Sequence, residues 1–145
     1  MRLALSQAEV AAEQGEVPVG CVVARGGELL GAAANARQTS GDPTAHAEIL
    51  ALRQAAQQVG DWRLEGCRLY VTLEPCTMCA GALVLARIAR LIYGAPGPKA
   101  GACGSVLDVL GHPALNHRVE VQAGVLGAEC ADLLTRFFRS LRAEA

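Results

Sequence analysis

Along residues 2–14, Leu3, Leu5, Val10 and several alanines recur among Gln and Glu at helix-compatible spacing, and the run stops at Gly15. This pattern predicts a first helix. From Val17 to Ala24 and again from Leu29 to Ala34 the chain is apolar and partly β-branched, with Arg25-Gly26-Gly27-Glu28 between, which is a hairpin signal. Ala45 to Val59 reads as a second helix, with Asp42 or Thr44 available as its cap and Pro43 near its first turn. A short apolar run, Cys67 to Leu73, leads through Pro75 into Cys76 to Arg87, a helical segment apolar almost all round. A strand therefore feeds a buried helix. Ala89 to Tyr93 predicts a further strand, a Gly/Pro-rich loop runs through Gly101, Val119 to Ala123 is a short candidate strand, and Ala128 to Ala143 closes the chain as an amphipathic helix. Strands alternating with helices after an opening hairpin predict an α/β layer fold with parallel strands joined by right-handed crossovers. No repeat or linker divides the chain, so residues 1–145 are expected to form one domain.

Aromatic residues make up only 3% of a chain that is 52% hydrophobic, so its core must be built from Ala, Leu and Val. Such small residues suit close helix packing or a subunit interface. The first residues carry Arg2 but break their apolar run at Gln7 and Glu9, unlike a signal peptide, and no apolar stretch is long enough to span a bilayer. Six cysteines without an export signal point to reduced thiols, metal ligands or catalysis before disulfides. A cytoplasmic protein with no membrane partner is expected. With a net charge of −1, any nucleic-acid partner must be gripped by a local basic face. Twelve of the thirteen basic residues are Arg, the type suited to bidentate phosphate contacts.

Two short segments carry the chemistry: His46-Ala47-Glu48 opens the second predicted helix, and Glu74-Pro75-Cys76-Thr77-Met78-Cys79 opens the third. Cysteines three apart on a helix are separated by about 300°, so both sulfurs can reach one ion. The helix N-terminus favours the thiolate that a metal requires. His46 would supply a nitrogen from the neighbouring helix. Three protein ligands leave the fourth tetrahedral position of zinc for water, which separates a catalytic site from a closed structural one. Zinc brings the pKa of such a water to about 7. Displacing an amino group from an aromatic ring also needs a proton on the ring nitrogen and another on the departing ammonia, and Glu48 is the candidate shuttle. In mid-helix, positions two apart diverge by about 200°, so His46 and Glu48 can share a pocket only if it wraps the helix end. Alone, the Cys-x-x-Cys reads as a redox pair or half of a structural zinc site, and the His-x-Glu as surface decoration. No second Cys-x-x-Cys exists here, and the two segments in this order, with Pro75 before the first Cys, match the zinc-deaminase signature.

Asp42-Pro43-Thr44-Ala45-His46-Ala47-Glu48-Ile49, Val71-Thr72-Leu73-Glu74-Pro75-Cys76, Met78-Cys79-Ala80-Gly81-Ala82 and Asn116-His117-Arg118-Val119-Glu120 together resemble the bacterial tRNA-specific adenosine deaminases. The similarity runs nearly end to end and includes Gly101-Ala102, Gly104-Ser105, Asp108-Val109-Leu110 and Phe137-Phe138-Arg139. The resemblance implies a three-layer α/β/α cytidine-deaminase-like fold, with a mixed central sheet of about five strands flanked by helices. It implies a homodimer that converts adenosine to inosine at the wobble position of a tRNA anticodon stem-loop, with one Zn2+ per subunit. His46, Cys76 and Cys79 then become the zinc ligands and Glu48 the proton shuttle.

Asn35 matches the family asparagine that hydrogen-bonds the flipped base, and Lys99, the only lysine, matches a family contact to the RNA backbone. Without the resemblance they would be a strand-end turn residue and a solvated loop charge. Arg136, Arg139 and Arg142 recur at spacings of three on the last helix. That stripe either tracks phosphates, with Arg139 as the RNA contact, or is a solvated face. His112 and His117 read as structural or RNA-facing, and Cys21, Cys67, Cys103 and Cys130 as small buried apolar residues. The chain departs from the family at Gly97, where an acidic residue often precedes the loop lysine by two and would contact the RNA sugar beside the target base. Relatives also often carry several residues before the first helix. Two other readings share parts of this pattern: a free-base deaminase of the guanine type, and a zinc-stabilised RNA-binding module without catalysis.

Overall fold

Alanine at every turn of one helix face decides how the chain begins to pack. In the computed structural model, which describes residues 1–145, α1 (Arg2–Glu13) buries Ala4, Ala8 and Ala11. With so little side chain between them, α1 approaches β1 (Gly20–Arg25) until a Cβ on Gly20 would collide with the backbone of Ala4 and Ala8. β2 (Glu28–Ala34) returns antiparallel to β1 across Gly26-Gly27, both at positive φ. On the other side of that hairpin, a Cβ on Gly31 would lie 2.5 Å from the carbonyl of Ala51 in α3 (Ala47–Val59). Gly31 pairs with Val23, and Gly20 with Ala34. Successive residues of a strand face opposite sides, so α1 and α3 cover opposite faces of the sheet.

The remaining elements are β3 (Arg68–Leu73), α4 (Thr77–Leu85), β4 (Arg90–Ala95), β5 (Glu120–Gln122) and α5 (Gly127–Glu144), with a single-turn helix α2 (Arg37–Ser40) between β2 and α3. The sheet order is β2-β1-β3-β4-β5; β1 is antiparallel to both neighbours, whereas β3, β4 and β5 are mutually parallel. The sheet is thus mixed, with parallel strands confined to its second half. α5 packs on β4 and β3 beside α1, and α4 packs beside α3, giving three layers. One core of small and aliphatic side chains, among them Cys21, Val23, Leu69, Val71, Leu83, Ile88 and Leu91, fills the interior.

Three local expectations change. The first strand begins at Gly20 and not at Val17, because Pro18 has no N–H to give a ladder and Val19 N closes back on Val17 O at 2.8 Å. α2 carries only exposed residues and so lacks the apolar periodicity that would reveal it. α3 starts at Ala47 with His46 as its N-cap; Asp42 instead accepts from the N–H and hydroxyl of Thr44, both at 2.8 Å, in a turn before the helix.

Candidate metal and base-binding site

The strand β3 ends at Leu73, and Glu74-Pro75 carries the chain from the carboxyl edge of the sheet into α4, with Cys76 as its N-cap. The N-terminus of α3 meets it there. His46 Nδ1 lies 3.6 Å from Cys76 Sγ and 3.5 Å from Cys79 Sγ, and the three donor atoms all fall within 4.8 Å of one another. Cys76 is the thiol of the group whose pKa is lowered. The Cys79 thiol donates to it, and that bond, joined by the contact with His46, outweighs burial and holds its pKa far below the ordinary thiol range. The same bond and burial push the Cys79 thiol up, and the contact with Cys76 raises the pKa of His46. Two sulfurs and an imidazole nitrogen at this separation are the borderline-soft donor set that zinc takes.

As an N-cap, His46 has extended backbone (φ −73°, ψ 150°) and is free of the helical rotation per residue. This is what lets His46 and Glu48 face one cavity. The cavity has a volume of about 450 Å³ and is lined by Asn35, His46, Glu48, Cys76, Lys99 and Phe138 among others. That is within the range of small-molecule sites. Glu48 is buried, and burial raises its pKa. A second hollow of about 500 Å³, between α1 and α5, is lined by Arg2, Glu9, Glu129, Asp132 and Arg136 and touches none of the metal-ligating residues.

Asn35 follows β2, and the neighbouring Ala36 N donates to Ala45 O at 3.0 Å, which brings Asn35 beside His46. Its amide donates to Val17 O (3.1 Å) and accepts from Arg37 N (3.3 Å). An amide has two donors and two acceptor lone pairs, so one of each remains for a ligand. Lys99 lies in the exposed part of the 96–105 loop and lines the same cavity. Arg139 is exposed on α5 and does not line the cavity, whereas its neighbour Phe138, and Leu134 one turn earlier, do. Of the basic stripe, Arg136 is engaged by Asp132 at 2.8 Å. His117 Nε2 contacts Ile88 O at 2.7 Å and His112 Nδ1 accepts from Ala114 N at 3.1 Å, so both are structural. Cys21, Cys67 and Cys130 are buried and Cys103 half-buried, with burial pushing the Cys103 thiol up to about 12.

Sequence reasoning passed over Glu74. Its carboxylate is buried and accepts from Gly97 N (3.0 Å), Cys103 N (3.0 Å), Ser105 N (3.2 Å) and the Ser105 hydroxyl. Burial alone would raise its pKa, but these bonds outweigh it and leave the carboxyl below its ordinary range. Its partners are 23 to 31 residues downstream, so nothing local in the sequence announces them.

With this geometry in view, the likeness to known proteins is specific. The MafB19-like deaminase family matches residues 1–142. The tRNA-specific adenosine deaminase of Bacillus subtilis (strain 168) is 47% identical over 142 residues, covering 98% of this chain and 88% of that protein. A structure solved in a study of A-to-I editing by tRNA:A34 deaminases at the wobble position of transfer RNA superposes with a TM-score of 0.89 at 44% identity, covering 92% of this chain and 96% of that one. A guanine deaminase from Bacillus subtilis is more distant, with a TM-score of 0.64 and 30% identity over 99% of this chain and 92% of that one. A trio able to hold a metal, the carboxyl beside it and a likeness that spans the chain agree: this chain belongs to the tRNA-specific adenosine deaminases, within the MafB19-like deaminase family.

Proposed function

We propose that this protein hydrolyses adenosine to inosine at the wobble position of a tRNA anticodon, releasing ammonia. The observation that carries the reading is the convergence of His46, Cys76 and Cys79 with Glu48 on one cavity, in a chain nearly half identical to a named tRNA-specific adenosine deaminase. His46 Nδ1 and the two sulfurs would hold one Zn2+ per subunit, which supplies, when bound, a water acidic enough to act as nucleophile near neutral pH. Glu48 takes a proton from the attacking water and places it on the ring nitrogen next to the amino-bearing carbon. It then takes the remaining proton from the hydroxyl now on that carbon and hands it to the amino group, which leaves as ammonia as the C=O of inosine forms. Because Glu48 is buried at the cavity, each of these transfers is directed at a base held there.

The target base must leave its stack to reach the cavity, at modest cost in an anticodon loop that is already partly single-stranded. Asn35 meets the flipped base with its remaining donor and acceptor, and Phe138 closes the wall beside it. Lys99 at the rim, with Arg139 on the adjoining helix, grips the RNA backbone through its phosphates. The enzyme works in the cytoplasm as a homodimer. No helix is long and apolar enough to cross a membrane.

The test is incubation of the purified zinc-loaded protein with a synthetic anticodon stem-loop carrying adenosine at the wobble position, read by mass spectrometry of the digested RNA. Inosine is expected, and prior treatment with a strong chelator abolishes it. Ammonia released from guanine, with no inosine in the RNA, would overturn the assignment in favour of a free-base deaminase.

A further inference from the structure

We infer that Glu74 is a positioning residue for RNA binding: its buried carboxylate is the hub that shapes the 96–105 loop into the cavity wall that carries Lys99. Only 3% of Glu74 is exposed; the residue lines the cavity beside Cys76, but its carboxylate hydrogen-bonds to none of His46, Cys76, Cys79, Glu48 or Asn35. All four hydrogen bonds to its carboxylate come from one loop, from Gly97 at its start and from Cys103 and Ser105 at its end. The intervening Pro98-Lys99-Ala100 is exposed and lines the cavity. Lys99 has no ion-pair partner of its own, so where its ammonium can reach is set by where Glu74 pins the loop on either side.

Glycine content agrees with this geometry. A Cβ on Gly101 would lie 2.5 Å from the Glu74 carboxylate, and one on Gly97 would lie 3.2 Å from Gly101. Both residues are buried while the lysine between them is exposed. The loop has been shaped to close around a carboxylate. This also gives Gly97 a role of its own, since its N–H is donated to Glu74 and its lack of a side chain lets the turn pack.

A glutamine at position 74 has the same shape but only one acceptor oxygen, and its NH2 would face N–H and O–H donors. Part of the hub must therefore come apart, leaving buried donors unpaired. This inference rests on the tRNA-deaminase reading for its substrate, so the experiment carries a readout that does not depend on turnover.

Glu74→Gln, zinc-loaded, is compared with wild type for Kd and KM of the wobble-adenosine stem-loop, for kcat, for zinc content, and for amide hydrogen exchange of the peptide covering 96–105. Kd and KM rise about tenfold while kcat stays within about twofold, because the loop holds RNA and does not touch the reacting atoms. Zinc content is unchanged, and exchange accelerates in 96–105 but not at the N-termini of α3 and α4. Ser105→Ala, at an exposed residue, removes one donor and moves the same quantities in the same direction by less; it decides the matter alone if Glu74→Gln fails to fold. A fall in kcat at constant KM, zinc loss in step with activity, or unchanged loop exchange would each overturn the inference. If the wild-type protein makes no inosine, the functional reading fails by itself, and stem-loop Kd with loop exchange still judges Glu74.

Discussion

Glu48 is a carboxyl with 4% of its surface exposed, set beside three soft donor atoms and opening only into the cavity that receives the base. An acid placed there has two uses, as a metal ligand or as a proton carrier. The trio of His46, Cys76 and Cys79 is complete without it, and its backbone belongs to α3 proper, whereas His46 sits before the helix. The proposed function gives it proton transfer. Glu48→Gln keeps the shape and removes the exchangeable carboxyl, so single-turnover inosine formation falls by about 10²- to 10⁴-fold while bound zinc, measured by metal analysis, stays stoichiometric. Activity within about tenfold of wild type would assign the protons elsewhere. A non-catalytic RNA-binding module would show no difference between the two proteins. That these four residues come together was legible from residue type and spacing joined to a known signature, because metal chemistry restricts type and spacing. Glu74 was not legible, since the groups it organises are brought to it only by the return of β4 and the loop that follows.

At the scale of elements, hydrophobic period reveals every long helix and all five strands to within a few residues, and it fails where packing is not what shapes the chain. α2 is invisible because none of its residues is buried. The start of α3 is displaced because Asp42, the obvious cap, is spent on Thr44, which leaves the cap position to His46. The alanine face of α1 shows the opposite case, in which composition foretells packing. Two of its three buried alanines, Ala4 and Ala8, meet Gly20 at backbone contact, and Gly20 N donates to Thr72 Oγ1 at 3.1 Å. Gly20→Ala cannot be absorbed by a side-chain rotation, because the obstacle is helix backbone. Overpacking of this kind costs about 2 kcal/mol, which for a domain of this size lowers Tm by roughly 4–8 °C. Thermal unfolding of zinc-loaded wild type and variant checks it at fixed metal, since metal binding itself shifts apparent stability. An unchanged Tm would mean that α1 can lift from the sheet at no cost.

The whole molecule leaves one element underused. α4 is apolar around its circumference, but only Cys79, Ala80, Leu83 and Val84 are buried, while Leu85 is 70% exposed and Met78, Gly81 and Ala82 are only half covered. Arg87, two residues beyond Leu85, lies 5.8 Å from the ring of Trp62, which is itself 59% exposed and also carries Arg63 at 5.2 Å. A contiguous apolar face with an aromatic and arginines at its margin has the make-up of an interface core and rim. The face runs along the helix that begins with Cys76 as its N-cap and carries Cys79 in its first turn. Sheet order and partner surface could not be read from periodicity, because period tells which side of a helix is apolar and not what covers it. Placing a charge at the centre of the face should separate the two roles of α4. Leu85→Glu points away from the buried side, so the fold and zinc content persist, while sedimentation equilibrium shifts from twice the monomer mass to the monomer mass. Wild-type protein already monomeric at micromolar concentration would remove the homodimer. A variant that remains dimeric would move the interface off α4, and the exposed leucine would then have to be explained by contact with the RNA.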